Sequence, residues 1–144
     1  MSGNLSISLP GAIIYTLFMK FILVIAAGGA IGAVGRYAVT VGLGQWAGFG
    51  FPYGTMAVNI VGSFLLGALV EIMALVWTPS EETRVFLVVG VLGAFTTFSS
   101  FSLDTFALLQ RNELGLAALY VLGSVILSVG GFLAGWALLR QVLT

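Results

Sequence analysis

The chain has 144 residues, 60% hydrophobic and only 7% charged, with five basic and five acidic residues that cancel and a mean hydropathy of +1.16. Soluble domains carry about 25% charged residues, so this composition leaves no polar shell to face water and places the chain in lipid. Cysteine and histidine are absent, which excludes disulfides, thiolate metal sites, cysteine nucleophiles and the usual proton shuttle, and zero net charge argues against nucleic acid as a partner.

A helix needs about 20 mostly apolar residues to cross a bilayer, and charges and turn residues cut the sequence into four such runs, at roughly 21–43, 53–77, 85–110 and 114–140. The expected fold is an all-α membrane protein: a single four-helix transmembrane domain over 19–144. The Gly/Pro-containing stretch Gly44 to Pro52, the turn Thr78-Pro79-Ser80-Glu81-Glu82 and the turn Arg111-Asn112-Glu113 connect the runs. All three connections are short, so neighbouring helices should be antiparallel. Residues 1–18 stand apart. Leu9–Phe18 is apolar but too short to span, no positive charge precedes it, and no cleavage site follows, so a signal peptide fits poorly. The segment reads as an extension of the first helix or as an over-long start ahead of Met19-Lys20.

Cytoplasmic ends of membrane proteins carry an excess of Lys and Arg. With four spans, one side holds Lys20, Arg84 and Arg140, and the other holds Arg111 with Arg36 near it. That near-balance fits either a weakly specified topology or insertion in both orientations to form an antiparallel dimer. Glycines recur within the spans. Gly28/Gly32 in the first and Gly131/Gly135 in the fourth have the small-xxx-small spacing that lets helix backbones approach closely in lipid.

Polar groups in lipid are costly and mark candidate sites. In the third run, Gly93-Ala94-Phe95-Thr96-Thr97-Phe98-Ser99-Ser100-Phe101-Ser102 places five hydroxyls within seven residues, after Gly90 and Gly93. Ser and Thr compete for backbone hydrogen bonds and glycine loosens a helix, which predicts a break near 93–96. A break frees carbonyls, hard oxygen ligands for a small cation, and irregular backbone survives in a membrane only when buried in protein or lining a cavity. The alternative is that the hydroxyls bond back to their own helix. Phe98 and Phe101, at i and i+3, share a face. Their positive ring edges can meet an anion without a full charge that would trap it, or the rings simply pack in the core. In the second run, Asn59 offers two amide donors, suited to an anion path or to an interhelical hydrogen bond. In the fourth, Tyr120, Ser124 and Ser128 at i, i+4 and i+8 form a stripe of hydroxyls, either an ion ladder or a polar seam. Arg36 either snorkels to the interface or draws anions into a vestibule.

Taken together, these residues resemble the signature of bacterial fluoride channels, the Fluc or CrcB family. The resemblance rests on Thr97-Phe98-Ser99-Ser100-Phe101-Ser102 with Gly93 and Thr96 before it, on Gly54-Thr55 with Asn59 and Gly62, and on Gly32-Ala33 with Arg36, and it covers nearly the whole chain from about residue 19. It implies a fluoride-selective channel for passive export across a bacterial cytoplasmic (inner) membrane, not an enzyme. It also implies an antiparallel dual-topology dimer with a second copy of the chain, with the third helix broken, two pores and a structural Na+ at the dimer centre. By position, Phe98, Phe101 and Asn59 would line the pore with Ser99, Ser100 and Ser102. Ser124 and Ser128, with Tyr120, would form its polar track. Arg36 would stand in the vestibule, and Gly93 and Thr96 would give carbonyls to Na+. Asp104 stands where the family usually has Glu, and Ser100 where Thr is usual. Residues 1–18 have no counterpart in the family pattern.

Two other function classes compete. A four-helix proton-coupled transporter needs a titratable carboxylate deep in the membrane, and Glu71 and Asp104 sit toward helix ends. A non-transporting structural subunit needs the glycines but not the hydroxyl cluster. No nucleophile, base and orienting partner can be assembled for an enzyme.

Overall fold

The structure, a computed structural model, describes residues 10–48 and 50–144, with side chains from Ile14 onward. Among these residues it consists of α1 (Pro10–Ala47), α2 (Tyr53–Leu75), α3 (Glu81–Val85), a π-helical stretch (Phe86–Leu92), α4 (Gly93–Phe95), α5 (Phe98–Gln110) and α6 (Leu114–Leu143). Four stretches are long and apolar enough to cross a membrane: Ile14–Ala47, Tyr53–Leu75, Glu81–Gln110 and Leu114–Leu143. The first nine residues of the 1–18 extension lie outside the described residues. The rest of it is helical, so α1 starts at Pro10 rather than near 21. At 38 residues α1 is about 57 Å long, well beyond a hydrocarbon core of roughly 30 Å.

Burial is inverted relative to a soluble bundle. The buried apolar side chains among the described residues are Val58, Ala68, Leu108, Ala117 and Tyr120, while leucines, isoleucines and valines on the outer faces of all four spans are largely exposed. Lipid is the solvent that tolerates such a surface. Trp46 lies at the end of α1, Trp77 just beyond α2 and Trp136 in the last turns of α6, at levels where tryptophans anchor to the membrane–water boundary.

Without a hydrophobic force between helices in lipid, close backbone approach does the joining. Helix α6 packs chiefly on α2. A Cβ added at Gly67 would collide with the Phe132 carbonyl oxygen, and one at Gly135 with the Phe64 carbonyl oxygen. Helix α1 lies against the π-helical stretch in the same way: a Cβ at Gly28 would stand 2.7 Å from the Phe86 carbonyl oxygen, and one at Gly32 would strike that of Val91. Both small-xxx-small pairs therefore sit at backbone contacts. The π-helical turn itself has no sign in the sequence; such turns are rare and concentrate at functional sites.

The third span is assembled in pieces. Ser80 caps α3, its hydroxyl accepting from the Thr83 amide at 3.2 Å. Between α4 and α5 the backbone is extended at Thr96 (φ −80°, ψ 160°) and Thr97 (φ −156°, ψ 124°). Helix α5 then turns into α6 through Asn112, which takes a positive φ of 59° that asparagine tolerates better than most residues. A small core of Leu108, Ala117 and Tyr120, with Phe51, Met56 and Phe101 against it, joins α5 to α6.

Candidate functional site

The extended residues Thr96 and Thr97 are held from three directions. Phe95 closes α4 and sits in the space left by two glycines. A Cβ at Gly35 would lie 3.6 Å from its ring and one at Gly62 3.1 Å from it. Thr96 donates its hydroxyl back to the Leu92 carbonyl at 3.1 Å, and its methyl group abuts Gly62. Thr97 is engaged by Asn59 of α2 at two points: Asn59 Oδ1 accepts the Thr97 N–H at 2.7 Å, and Asn59 Nδ2 donates to the Thr97 carbonyl at 3.0 Å. A strand neighbour pairs with an extended residue in just this way, and here a side chain takes its place.

This pairing redirects the helix ladder. In an unbroken helix the Thr97 amide would donate to the Gly93 carbonyl four residues back. It donates to Asn59 instead. Likewise the Ser100 amide, which would serve the Thr96 carbonyl, donates to the Thr97 hydroxyl at 3.2 Å. The carbonyls deprived of their helical donors by this break include those of Gly93 and Thr96, along with those of Ala94 and Phe95 between them. Neutral carbonyl oxygens are hard ligands suited to a small cation. Among the described residues no group of three or more His, Cys, Asp or Glu side chains offers an alternative metal site.

The five hydroxyls of the 93–102 run divide by partner. Thr96 and Ser102 bond back to their own helical carbonyls, Ser102 to Phe98 at 3.0 Å. Thr97, Ser99 and Ser100 form a cluster at the start of α5, with Thr97 Oγ1 3.1 Å from Ser99 Oγ and 3.2 Å from Ser100 Oγ. The structure thus leaves Ser99, Ser100 and Ser102 outside the cavity described next.

A groove of about 360 Å³ opens between α2, the third span and α6. Its polar lining comes from Asn59, Ser63, Thr96, Thr97, Ser124 and Ser128, and its aromatic lining from Phe98 and Phe101. No ionisable side chain lines it. Two features point to a ligand. The hydroxyls of Ser124 and Ser128 are buried and have no hydrogen-bond partner. An orphaned buried hydroxyl costs about 1–3 kcal/mol and asks for an explanation. Asn59 keeps one amide hydrogen beyond the one given to Thr97. The rings of Phe98 and Phe101 stand 5.3 Å apart, and Phe98 is 77% exposed in the single chain. The groove therefore offers hydroxyl and amide donors and ring edges, all uncharged, in a largely apolar frame.

Tyr120 does not share the groove with Ser124 and Ser128. It is fully buried, stacks on Phe101 at 5.3 Å and meets Phe51 edge-on at 5.7 Å, and its hydroxyl donates to Asp104 at 3.2 Å. Asp104 is thus part of the α5–α6 packing and also borders a smaller cavity with Thr40 and Thr55 near the first loop. Arg36 is half-buried on α1 one turn before Thr40 and does not line the groove. Glu71 is only 4% exposed, deeper than its sequence position suggests. Its carboxylate lies 3.9 Å from Arg140, whose guanidinium stacks on Trp136. It too lies outside the groove lining.

Sequence reasoning gave no role to Ser63 or Phe95 and read Thr97 only as one of the five hydroxyls of the third run. Ser63 follows Asn59 by one helical turn, a spacing that could have found it. Thr97 carries the mark of an N-cap: a threonine at the head of a helix whose third residue takes its hydroxyl.

The family model described as CrcB-like protein, Camphor Resistance (CrcB), matches residues 23–136. The chain is 57% identical over 122 residues, 85% of its length and 97% of the relative's, to a protein of Rhodospirillum centenum named fluoride-specific ion channel FluC. It is 55% identical over 121 residues to one of that name from Agrobacterium fabrum, covering 84% of this chain and 97% of the relative. A third such protein, from Nitrobacter winogradskyi, is 50% identical over 122 residues with 85% and 97% coverage.

Proposed function

This chain belongs to the CrcB-like family, and from that premise we propose that it is a fluoride channel, conducting the ion passively through the groove between α2, the third span and α6. The observation that carries the reading is the pair of orphaned buried hydroxyls of Ser124 and Ser128, two residues that line a cavity with no charged wall. Fluoride is small and tightly hydrated, so a path must replace its water with several donors at once. Ser124, Ser128 and the remaining Asn59 hydrogen supply O–H and N–H donors, and the edges of Phe98 and Phe101 supply weaker positive potential. Because each is neutral, the ion is held firmly enough to enter and weakly enough to leave. Arg36 acts at a distance, raising the local anion concentration near one mouth.

The working unit is an antiparallel homodimer of dual topology, with the third helix of each copy broken at Thr96–Thr97. Three features support it: the near-equal split of basic residues between the two sides, the groove left open along one face, and the exposure of Phe98, which a second copy would cover. The carbonyls of Gly93 and Thr96, released from the helix ladder, would hold Na+ with their counterparts from the second copy. Bound there, Na+ would supply a fixed positive charge that pins the two breaks together. The membrane is the bacterial cytoplasmic membrane, where passive flow down the gradient protects the cell from fluoride. Residues Ser99, Ser100 and Ser102 support the path through the start of α5 rather than by direct contact.

The test is fluoride efflux from liposomes that contain only this protein, read with a fluoride electrode, with chloride efflux as control. Fast fluoride release without chloride release is expected. Folded, dimeric protein that releases neither ion contradicts the channel reading.

A further inference from the structure

We propose that Thr97 is a positioning residue for the fluoride path, fixing the place of Phe98 and Phe101 by joining α2 to the first turn of α5; the proposal rests on the channel reading above. Every polar group of Thr97 is engaged. Its N–H and C=O are paired with Asn59 at 2.7 and 3.0 Å, and its hydroxyl accepts the Ser100 amide at 3.2 Å. The same hydroxyl lies against those of Ser99 and Ser100. Thr97 is 8% exposed, so these bonds form away from competing solvent.

What these bonds hold is the start of α5. Phe98 is its first helical residue and Phe101 lies one turn on. Phe101 has packing of its own against Tyr120. Phe98 is 77% exposed and touches Phe101 alone among the aromatic rings, so within one chain its place depends on its backbone. That backbone is set by where the helix begins. A helix start without its cap frays over the first turn, and the first turn here is Phe98 to Phe101. The extended conformation at Thr97 also needs its two-point pairing with Asn59, since an isolated extended residue between two helices has no other partner for its N–H and C=O. Thr97 borders the groove, but with every polar group already engaged it has no free donor for the ion, and its part is to transmit the position of α2 to the rings.

The experiment compares fluoride and chloride efflux from liposomes for the wild type, Thr97→Val and Thr97→Ser, at matched amounts of folded protein. Valine keeps the β-branched shape that favours the extended backbone but cannot cap; serine caps. Thr97→Val is expected to lose fluoride flux by about tenfold, the scale of one cap, with the fluoride-to-chloride ratio falling, while Thr97→Ser stays within about twofold. A purely structural role would lower the amount of folded protein and leave selectivity per folded channel untouched. Should Thr97→Val fail to fold, Thr97→Asn reads the same point: asparagine caps well and retains flux if the cap is what matters. Wild-type flux and selectivity in Thr97→Val, or a Thr97→Asn channel that folds yet is silent, overturns the positioning role and leaves the channel reading standing. Absent wild-type flux overturns the channel reading, and the positioning role with it.

Discussion

Helices α2 and α6 run side by side, and the two ends of their seam are built differently. Toward the C-terminal ends, Gly67 faces the Phe132 carbonyl and Gly135 that of Phe64, with no room for a methyl group. Toward the N-terminal ends, Asn59, Ser63, Ser124 and Ser128 border an open groove in which two hydroxyls lack partners. The contact is tightest toward the C-terminal ends, and toward the other ends, where a Cβ at Gly131 would still lie 3.1 Å from the Ile60 carbonyl oxygen, a polar slot opens beside the seam. Close backbone approach supplies dispersion contact where lipid offers no hydrophobic force. The locked end can then hold the helices together while the other end keeps unsatisfied groups that destabilise the fold by about 1–3 kcal/mol each.

The lock is where substitution should cost the molecule most. Gly67→Ala and Gly135→Ala each force a carbonyl away and should destabilise the folded protein by about 2–4 kcal/mol, read by denaturant unfolding in detergent micelles. Gly130→Ala, where an added Cβ meets nothing within 4 Å, is the matched control and should leave stability unchanged or slightly raised. Unfolding curves for Gly67→Ala and Gly130→Ala that coincide would remove the lock from the account.

The slot is the next place to strike. Asn59→Ala leaves the N–H and C=O of Thr97 without their partners and removes one donor from the groove. Fluoride efflux should fall by about thirtyfold, equivalent to roughly 2 kcal/mol, the scale of a pair of broken buried hydrogen bonds. Flux at the wild-type rate in this variant would separate Asn59 from the path altogether.

The smallest effect belongs to the exposed pair far from both halves. Lys20 and Glu82 approach to 2.7 Å, but both are solvent-facing, and such pairs contribute little. Lys20→Ala should leave melting and flux unchanged. A marked loss of either would mean that the overhanging start of α1 has a part this account does not give it.

The four spans were legible because hydropathy and length alone decide them, and the resemblance in residues 93–102, 54–62 and 32–36 carried the family. The division of labour within those motifs was not legible. Counting i, i+4, i+8 puts Tyr120 on one face with Ser124 and Ser128, but the tyrosine ring finds Phe51 and Phe101 and turns into the core between α5 and α6. Ser99 and Ser102 look alike in sequence. One faces the Thr97 hydroxyl and the other its own helix, because Asn59, 38 residues from Thr97, sets where α5 begins. The π-helical turn at Phe86–Leu92 depends on packing that no local pattern encodes, whereas the helical continuation of α1 back to Pro10 was one of the two readings the sequence left open.

The double variant Ser124→Ala/Ser128→Ala decides whether the slot between α2 and α6 is a conduction path or a packing defect, with fluoride efflux and unfolding measured on the same preparation. Because both hydroxyls are orphaned, their removal should leave stability equal or higher while flux falls by about tenfold. Wild-type flux in the double variant would contradict the account.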